Sequence, residues 1–192
     1  MGRNSAYYRN LIATVLRLSE SNEWESAVNE WCIEGVEEDE TLAESCVCGK
    51  EELRYLFTIR NTINESTLSP IGSSCIKKFE RTDLNEEIAV KIKLFKLLHA
   101  IEKNKFLTLS AELFSRKLLR HLYDVAVFKA SRFNNFDPYN DYQFMLDMFN
   151  KCQRRTEKED KRVSAIILNS IKPSLRQMLN KKIRRKNEKE AL

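Results

Sequence analysis

The 192 residues predict a predominantly helical α+β protein, with one small cysteine-bearing β element between an N-terminal helical pair and a C-terminal helical bundle. Three observations carry that prediction. Glycine (4) and proline (3) are too scarce for a many-stranded sandwich or barrel, which needs a tight turn every 8–12 residues or so. Apolar residues recur at three- and four-residue spacing along most of the chain. Between residues 45 and 82 that spacing gives way to alternation, turn residues and three of the five cysteines. The expected organisation is an acidic helical segment over 1–44, a small β/cysteine module over 45–82, and a helical bundle with a basic tail over 83–192.

The first helix is expected over 6–19, where Leu11, Val15 and Leu18 share a face beside Tyr7 and Tyr8. A second is expected over 23–34, with Trp24, Ala27, Val28 and Trp31 on one side, ending in the solvated acidic loop at 37–40. "LRYLFTIRN" places Tyr55, Phe57 and Ile59 on one side of a strand. "NTINESTLSPIGSS" then supplies a turn, a short second strand and a bend at Gly72. Beyond it, Asp83 with Glu86 resembles a capping box opening a helix with Ile88, Ile92, Phe95, Leu97 and Leu98. A further helix is expected over 109–130. Asp137-Pro138 is an N-cap followed by proline at the first helical position, opening a helix with Tyr142, Met145, Phe149 and Cys152. A last helix over 160–185 should kink or split at Lys172-Pro173.

Charge is unevenly spread. The balance is −7 over residues 1–48, +3 over 49–150 and +9 over 151–192. An acidic front and a basic tail imply two surfaces with different partners, or one surface neutralising the other. No stretch reaches the roughly 18 apolar residues of a membrane span, and "MGRNSAYYRN" lacks an apolar signal core. A cytoplasmic protein is expected, in the host cell if the origin is viral. An odd number of cysteines there points to reduced thiols or a metal.

Cys46 and Cys48 can face one ion if the backbone bends at Val47, which Gly49 permits. Gly72 and Ser73 can turn the chain so that Cys75 joins them. Zinc requires four such ligands at tetrahedral angles, with sulfur at about 2.3 Å. For the fourth position Cys32 ranks ahead of Cys152, His99 and His121. The plain alternative is that these are buried free thiols packed as small hydrophobes.

"CVCGK", "YLFTIRN" and "PIGSSCIKKF" resemble a module that recurs in phages, mobile elements and large DNA viruses. In that module Cys-x-Cys-Gly is followed by an aromatic strand ending in Asn, then by Gly-Ser-x-Cys-Ile and Phe. The matching residues are Cys46, Cys48, Gly49, Phe57, Ile59, Asn61, Gly72, Ser73, Cys75, Ile76 and Phe79, with Glu30-Trp31 upstream. The resemblance covers residues 24–82 and implies a viral or mobile-element origin without implying a reaction. Where some relatives carry His after the glycine, this chain has Lys50.

Three basic regions are candidate contacts. Lys77 and Lys78 follow Cys75, with Arg54 and Arg60 on the strand, and could meet phosphates or be a solvated face. Lys129 and Arg132 alternate with Phe128, Phe133, Phe136, Tyr139 and Tyr142; such rings either stack unpaired bases or, as expected at an inter-helix turn, plug the corner. Lys181, Lys182, Arg184, Arg185 and Lys186 crowd a helix end, as nucleic acid or an acidic partner would favour.

No enzymatic activity is expected. There is no phosphate-cradling glycine loop, the His121/Asp124 pair lacks a joined nucleophile, and the carboxylates of 34–44 look solvated. The expected function is binding, to nucleic acid or a host nucleoprotein complex, with zinc as the cofactor and neither a membrane nor a small-molecule substrate evident. The rival expectation is a non-catalytic inhibitor of a host complex, of the anti-defence or anti-CRISPR type, with the acidic segment imitating phosphates.

Overall fold

The Ser5 hydroxyl accepts the Tyr8 N–H at 3.2 Å and so caps the first helix, α1 (Ala6–Arg17). This computed structural model describes residues 5–178. The chain divides into two units, Met1–Lys91 and Ile92–Leu192.

In the first unit the expected second helix is cut short. α2 (Trp24–Ala27) is a single turn that tightens into a 3₁₀ turn over Val28–Glu30. The chain then becomes a strand, β1 (Trp31–Glu38), through residues expected to be helix and acidic loop. The helical spacing of Trp24, Ala27, Val28 and Trp31 is real, but Trp31-Cys32-Ile33 also suits a pleated surface, and pairing with a neighbouring strand decides between them. That neighbour is β2 (Tyr55–Asn61), antiparallel to β1 from Trp31 opposite Asn61 to Glu38 opposite Tyr55, with a one-residue slip between Ile33 and Gly35. β3 (Thr67–Ile71) pairs antiparallel on the other side, completing a three-stranded sheet in the order β1-β2-β3.

The alternation expected of β2 is present: Phe57, Ile59 and Asn61 are buried, and the residues between them are partly exposed. Trp31, Phe57, Ile59, Ile71 and Ile76 are fully buried. Each of the aliphatic or phenyl groups contributes about 1.5–3 kcal/mol over exposure. A single turn, α3 (Ser73–Ile76), follows Gly72 and tightens over Lys77–Phe79. Tyr8, Trp24 and Phe79 then meet edge to face, with ring centroids 6.2 and 5.5 Å apart.

α4 (Thr82–Glu102) contains the division between the units. In the second unit the helix expected over 109–130 is shorter. α5 (Arg116–Asp124) starts where the Ser115 hydroxyl accepts the Leu118 N–H, and ends before Ala126, whose φ is +55°. α6 (Pro138–Asn150) opens at Asp137 as expected, though Cys152 lies beyond its end and is exposed. α7 (Glu157–Ile166) begins three residues earlier than expected, at a Thr156/Glu159 capping box. It widens to a π turn over Ile167–Ile171 just before Pro173, and residues 172–178 resume the helix. A π turn is one way to absorb a residue that cannot donate to the ladder. α5 packs on α6, and α6 on α7. Among the described residues no helix is long and apolar enough to cross a membrane.

Candidate metal centre

Cys46 reaches its position through a loop held by Asp39. The Asp39 carboxylate accepts from the Thr41 hydroxyl and from the backbone N–H groups of Thr41, Ala43 and Glu44. These bonds, the Thr41 hydroxyl foremost, hold the Asp39 carboxyl below the usual carboxylate range. The chain then turns sharply at Cys46–Gly49, closed by Gly49 N–H to Cys46 C=O at 2.7 Å. Gly49 takes φ +91°, where a side chain would be strained. Val47 N–H donates to Pro70 C=O at 3.0 Å, tying this turn to β3. At the end of β3, Gly72 N–H points at Cys46 Sγ, 3.2 Å away, and Cys75 N–H closes back onto Gly72 C=O.

Two tight turns thus bring three sulfurs together. Cys46 and Cys75 Sγ are 3.6 Å apart, Cys75 and Cys48 Sγ are 3.4 Å apart, and all three lie within 4.8 Å of one another. A disulfide needs about 2.05 Å. A tetrahedral ion bound at about 2.3 Å sets its sulfurs about 3.8 Å apart, close to what the turns produce. Cys46 and Cys48 are buried and Cys75 is partly exposed.

Electrostatics favour a thiolate in this cluster. The Cys75 thiol, with the N–H groups of Cys48 and Gly72, holds Cys46 down to about 5 against the opposing effect of burial. Cys75, bonded to that charge and buried beside it, is pushed up. Burial also pushes Cys48 up, although Lys50 N–H donates to it. Three sulfurs close enough to share one proton's worth of charge compete for it, and a cation would remove that competition by stabilising all three as thiolates.

No protein-family model, curated protein or solved structure matches the chain.

Not every expected ligand comes to the cluster. Cys32 sits on β1 opposite Arg60, its thiol 3.5 Å from the Arg60 carbonyl oxygen, and is not part of the three-sulfur group. Among the described residues no histidine or carboxylate joins the cluster either. His99 lies in α4 and His121 in α5.

A groove of about 400 Å³ borders Cys48 and Cys75, walled by Tyr7, Tyr8 and Leu11 and carrying Lys50, Lys77 and Lys78 with one acid, Glu80. Lys77 and Lys78 occupy the 3₁₀ turn after α3. Lys50 follows the Cys-x-Cys-Gly turn directly, and that position is the sequence signal for a cation at this groove. The strand arginines are engaged elsewhere: Arg54 pairs with Glu38 at 2.9 Å, and Arg60 lies 3.7 and 3.8 Å from Glu34 and Glu65.

Lys129 and Arg132 belong to the second unit, both exposed. The aromatic residues around them divide: Phe128 and Tyr142 are buried, whereas Phe133 and Phe136 face solvent. Tyr139 is exposed as well, so the expectation that all five rings plug a corner holds for two of them and fails for three. Lys181, Lys182, Arg184, Arg185 and Lys186 lie outside the described residues.

Proposed function

We propose that this is a nucleic-acid-binding protein of the phage or mobile-element kind, in which Cys46, Cys48 and Cys75 hold a zinc ion. The ion would keep the Cys46–Gly49 turn and the Gly72–Cys75 turn in register and so pin the loop before β2 to the end of β3. Zinc is preferred over other ions because an all-sulfur donor set of this size selects soft, tetrahedral metals. The fourth ligand would come from outside the three-sulfur group. One observation carries the reading: three metal-spaced sulfurs whose bordering groove presents Lys50, Lys77 and Lys78. Lysines fixed beside such a centre are suited to phosphate oxygens, and the basic tail would add sequence-independent attraction.

The rival reading, an acidic phosphate mimic directed at a host complex, has less support. Glu34 and Glu38 are partnered with Arg60 and Arg54 in the sheet, so part of the acid is neutralised at home.

The test is fluorescence anisotropy with labelled DNA and RNA at low salt. The variants carry Lys77→Glu with Lys78→Glu, or Arg184→Glu with Arg185→Glu and Lys186→Glu. Loss of binding in either set supports the proposal. Undiminished binding in both sets, or a protein partner captured from host lysate that survives nuclease, overturns it.

A further inference from the structure

In the second unit, Phe133 and Phe136 are 79% and 73% exposed, three residues apart. Large apolar rings displayed in pairs mark contact surfaces more often than isolated ones do. Here the loop that carries them is built from within. Asn134 is buried, and its side chain donates to Lys129 C=O and to the Asp141 carboxylate, both at 2.8 Å. The same side chain accepts from Ser131 N–H at 2.8 Å, while its backbone carbonyl accepts from the Asn140 amide at 3.0 Å.

Asn135 and Phe136 both take the left-handed conformation, with φ +56° and +59°. For a ring as large as Phe136 that conformation is a true outlier, kept only where surrounding bonds over-determine it. Its N–H is fixed to Ser131 C=O at 2.8 Å. Between α5 and α6, Tyr123 and Tyr142 stack with centroids 5.0 Å apart, and Tyr139 meets both at 5.8 Å. The exposed rings are therefore carried by a loop whose backbone is tied at Ser131, Asn134 and Phe136.

Cations accompany them. The Arg132 guanidinium lies over the Phe133 ring, 4.8 Å from its centroid, and the Lys129 ammonium is set one turn away on Ala126 C=O at 2.9 Å. Of the nearby acids, Asp141 is buried against Asn134 and Arg162, and Asp137 caps α6 through Tyr139 N–H. Exposed flat rings interleaved with cations fit a strand whose bases are unpaired: each ring offers a stacking face, and Arg132 and Lys129 meet the phosphates. A duplex keeps its base faces inside the stack and has nothing to offer the rings.

We propose that Phe133 and Phe136, with Arg132 and Lys129, form a stacking platform for single-stranded nucleic acid. The inference rests on the nucleic-acid reading above and adds to it the class of strand recognised.

The full chain is titrated against a labelled oligothymidine and a labelled hairpin duplex, as wild type, as Phe133→Ala with Phe136→Ala, and as Phe133→Tyr with Phe136→Tyr. The alanine pair should lose roughly fivefold or more in single-strand affinity for each ring engaged, with duplex affinity unchanged. The tyrosine pair should retain binding. Because both rings are exposed, the unfolding midpoint of the alanine pair should match wild type, so a loss of binding cannot come from misfolding. If wild type binds the oligothymidine and the alanine pair binds it equally well, the platform is overturned while the nucleic-acid reading stands. An alanine pair that loses duplex and single-strand affinity alike also overturns it. If wild type binds neither probe, both fail together.

Discussion

The Asn61 amide donates to the buried Glu30 carboxylate at 2.6 Å, joining the last residue of β2 to the residue that precedes β1. The carboxylate also accepts the backbone N–H groups of Glu20 and Ser21, each at 2.8 Å. On its other side Asn61 accepts the N–H groups of Ile63 and Asn64 and so shapes the turn into β3. Two side chains thus fasten the segment after α1, the β1 edge and the β2–β3 hairpin at one point. Trp31 adds to the knot by donating its indole N–H to the Ser19 hydroxyl at 2.9 Å.

Removing this knot should be costly and should depend on pH. Burial acts to raise the Glu30 pKa, but the donors from Ser21, Glu20 and Asn61 outweigh it and hold the carboxyl below the usual range. A depressed folded-state pKa gives stability that is full above the unfolded value of about 4.3 and is lost as pH falls through the folded value. Glu30→Gln should therefore cost about 2 kcal/mol at pH 7. The gap to wild type should narrow in acid, as the wild-type carboxylate itself becomes protonated. Urea unfolding at neutral and acid pH measures both, and a gap that does not change with pH removes the charged-carboxylate account.

These residues explain how much of the structure could be read beforehand. β2 was legible because its alternation is local: Phe57 and Ile59 declare their face without reference to anything else. The sulfur cluster was legible because Gly49 and Gly72 mark where the chain turns. β1 was not, because Trp24, Ala27, Val28 and Trp31 satisfy a helical spacing and only pairing with Asn61 of β2, far along the chain, makes Trp31 a strand residue. The exposure of Phe133 and Phe136 was hidden for a related reason. A buried asparagine and two left-handed residues decide it, and neither leaves a mark in apolar spacing.

A metal at the three sulfurs makes a quantitative prediction. Purified protein should carry about one zinc per chain, bound by the thiolates of Cys46, Cys48 and Cys75. Chelation, or Cys48→Ser, should lower the unfolding midpoint by on the order of 10 °C, since an ion bound to the folded state alone is folding free energy. Cys32→Ser should leave the zinc content unchanged, because that thiol faces the Arg60 carbonyl. Elemental analysis of the three proteins is decisive: equal zinc in wild type and Cys48→Ser would mean the ion is elsewhere.

Arg81 is a second fastening point that its sequence did not announce. One guanidinium nitrogen donates to the backbone carbonyls of Trp31 at 2.6 Å and Val28 at 3.1 Å, while Asp83 holds the rest of the group. It thereby satisfies carbonyls left over where the 3₁₀ turn of Val28–Glu30 gives way to β1. Arg81→Met keeps much of the aliphatic stem and should still cost about 1.5–3 kcal/mol, the range for hydrogen bonds to a charged group. Arg81→Lys should recover little, because a point ammonium cannot reproduce the fork. Chemical denaturation of the two variants provides the comparison, and a lysine variant as stable as wild type would rule out a geometric role.

Gly72 links the sheet to the sulfurs, and a single methyl group tests that link. Its φ of −75° is open to any residue, so backbone conformation does not demand glycine. Space does: a Cβ there would meet the Leu53 Cδ2 at 3.0 Å and stand 3.8 Å from Cys46 Sγ. Leu53 is buried and can give way only by disturbing its neighbours. Gly72→Ala should therefore destabilise by about 1–3 kcal/mol, the usual cost of overpacking, and should weaken metal retention because the Gly72 N–H that bonds Cys46 Sγ moves with it. Gly49→Ala reaches a similar result by a different cause, since its nearest neighbours are 3.9 Å away and φ +91° alone opposes the substitution. Combining Gly72→Ala with Leu53→Ala separates the two. Trimming Leu53 makes room, so metal retention should recover in the Gly72 background while the Gly49 variant gains nothing. Failure of that rescue would show that the Gly72 site is limited by backbone and not by contact with Leu53.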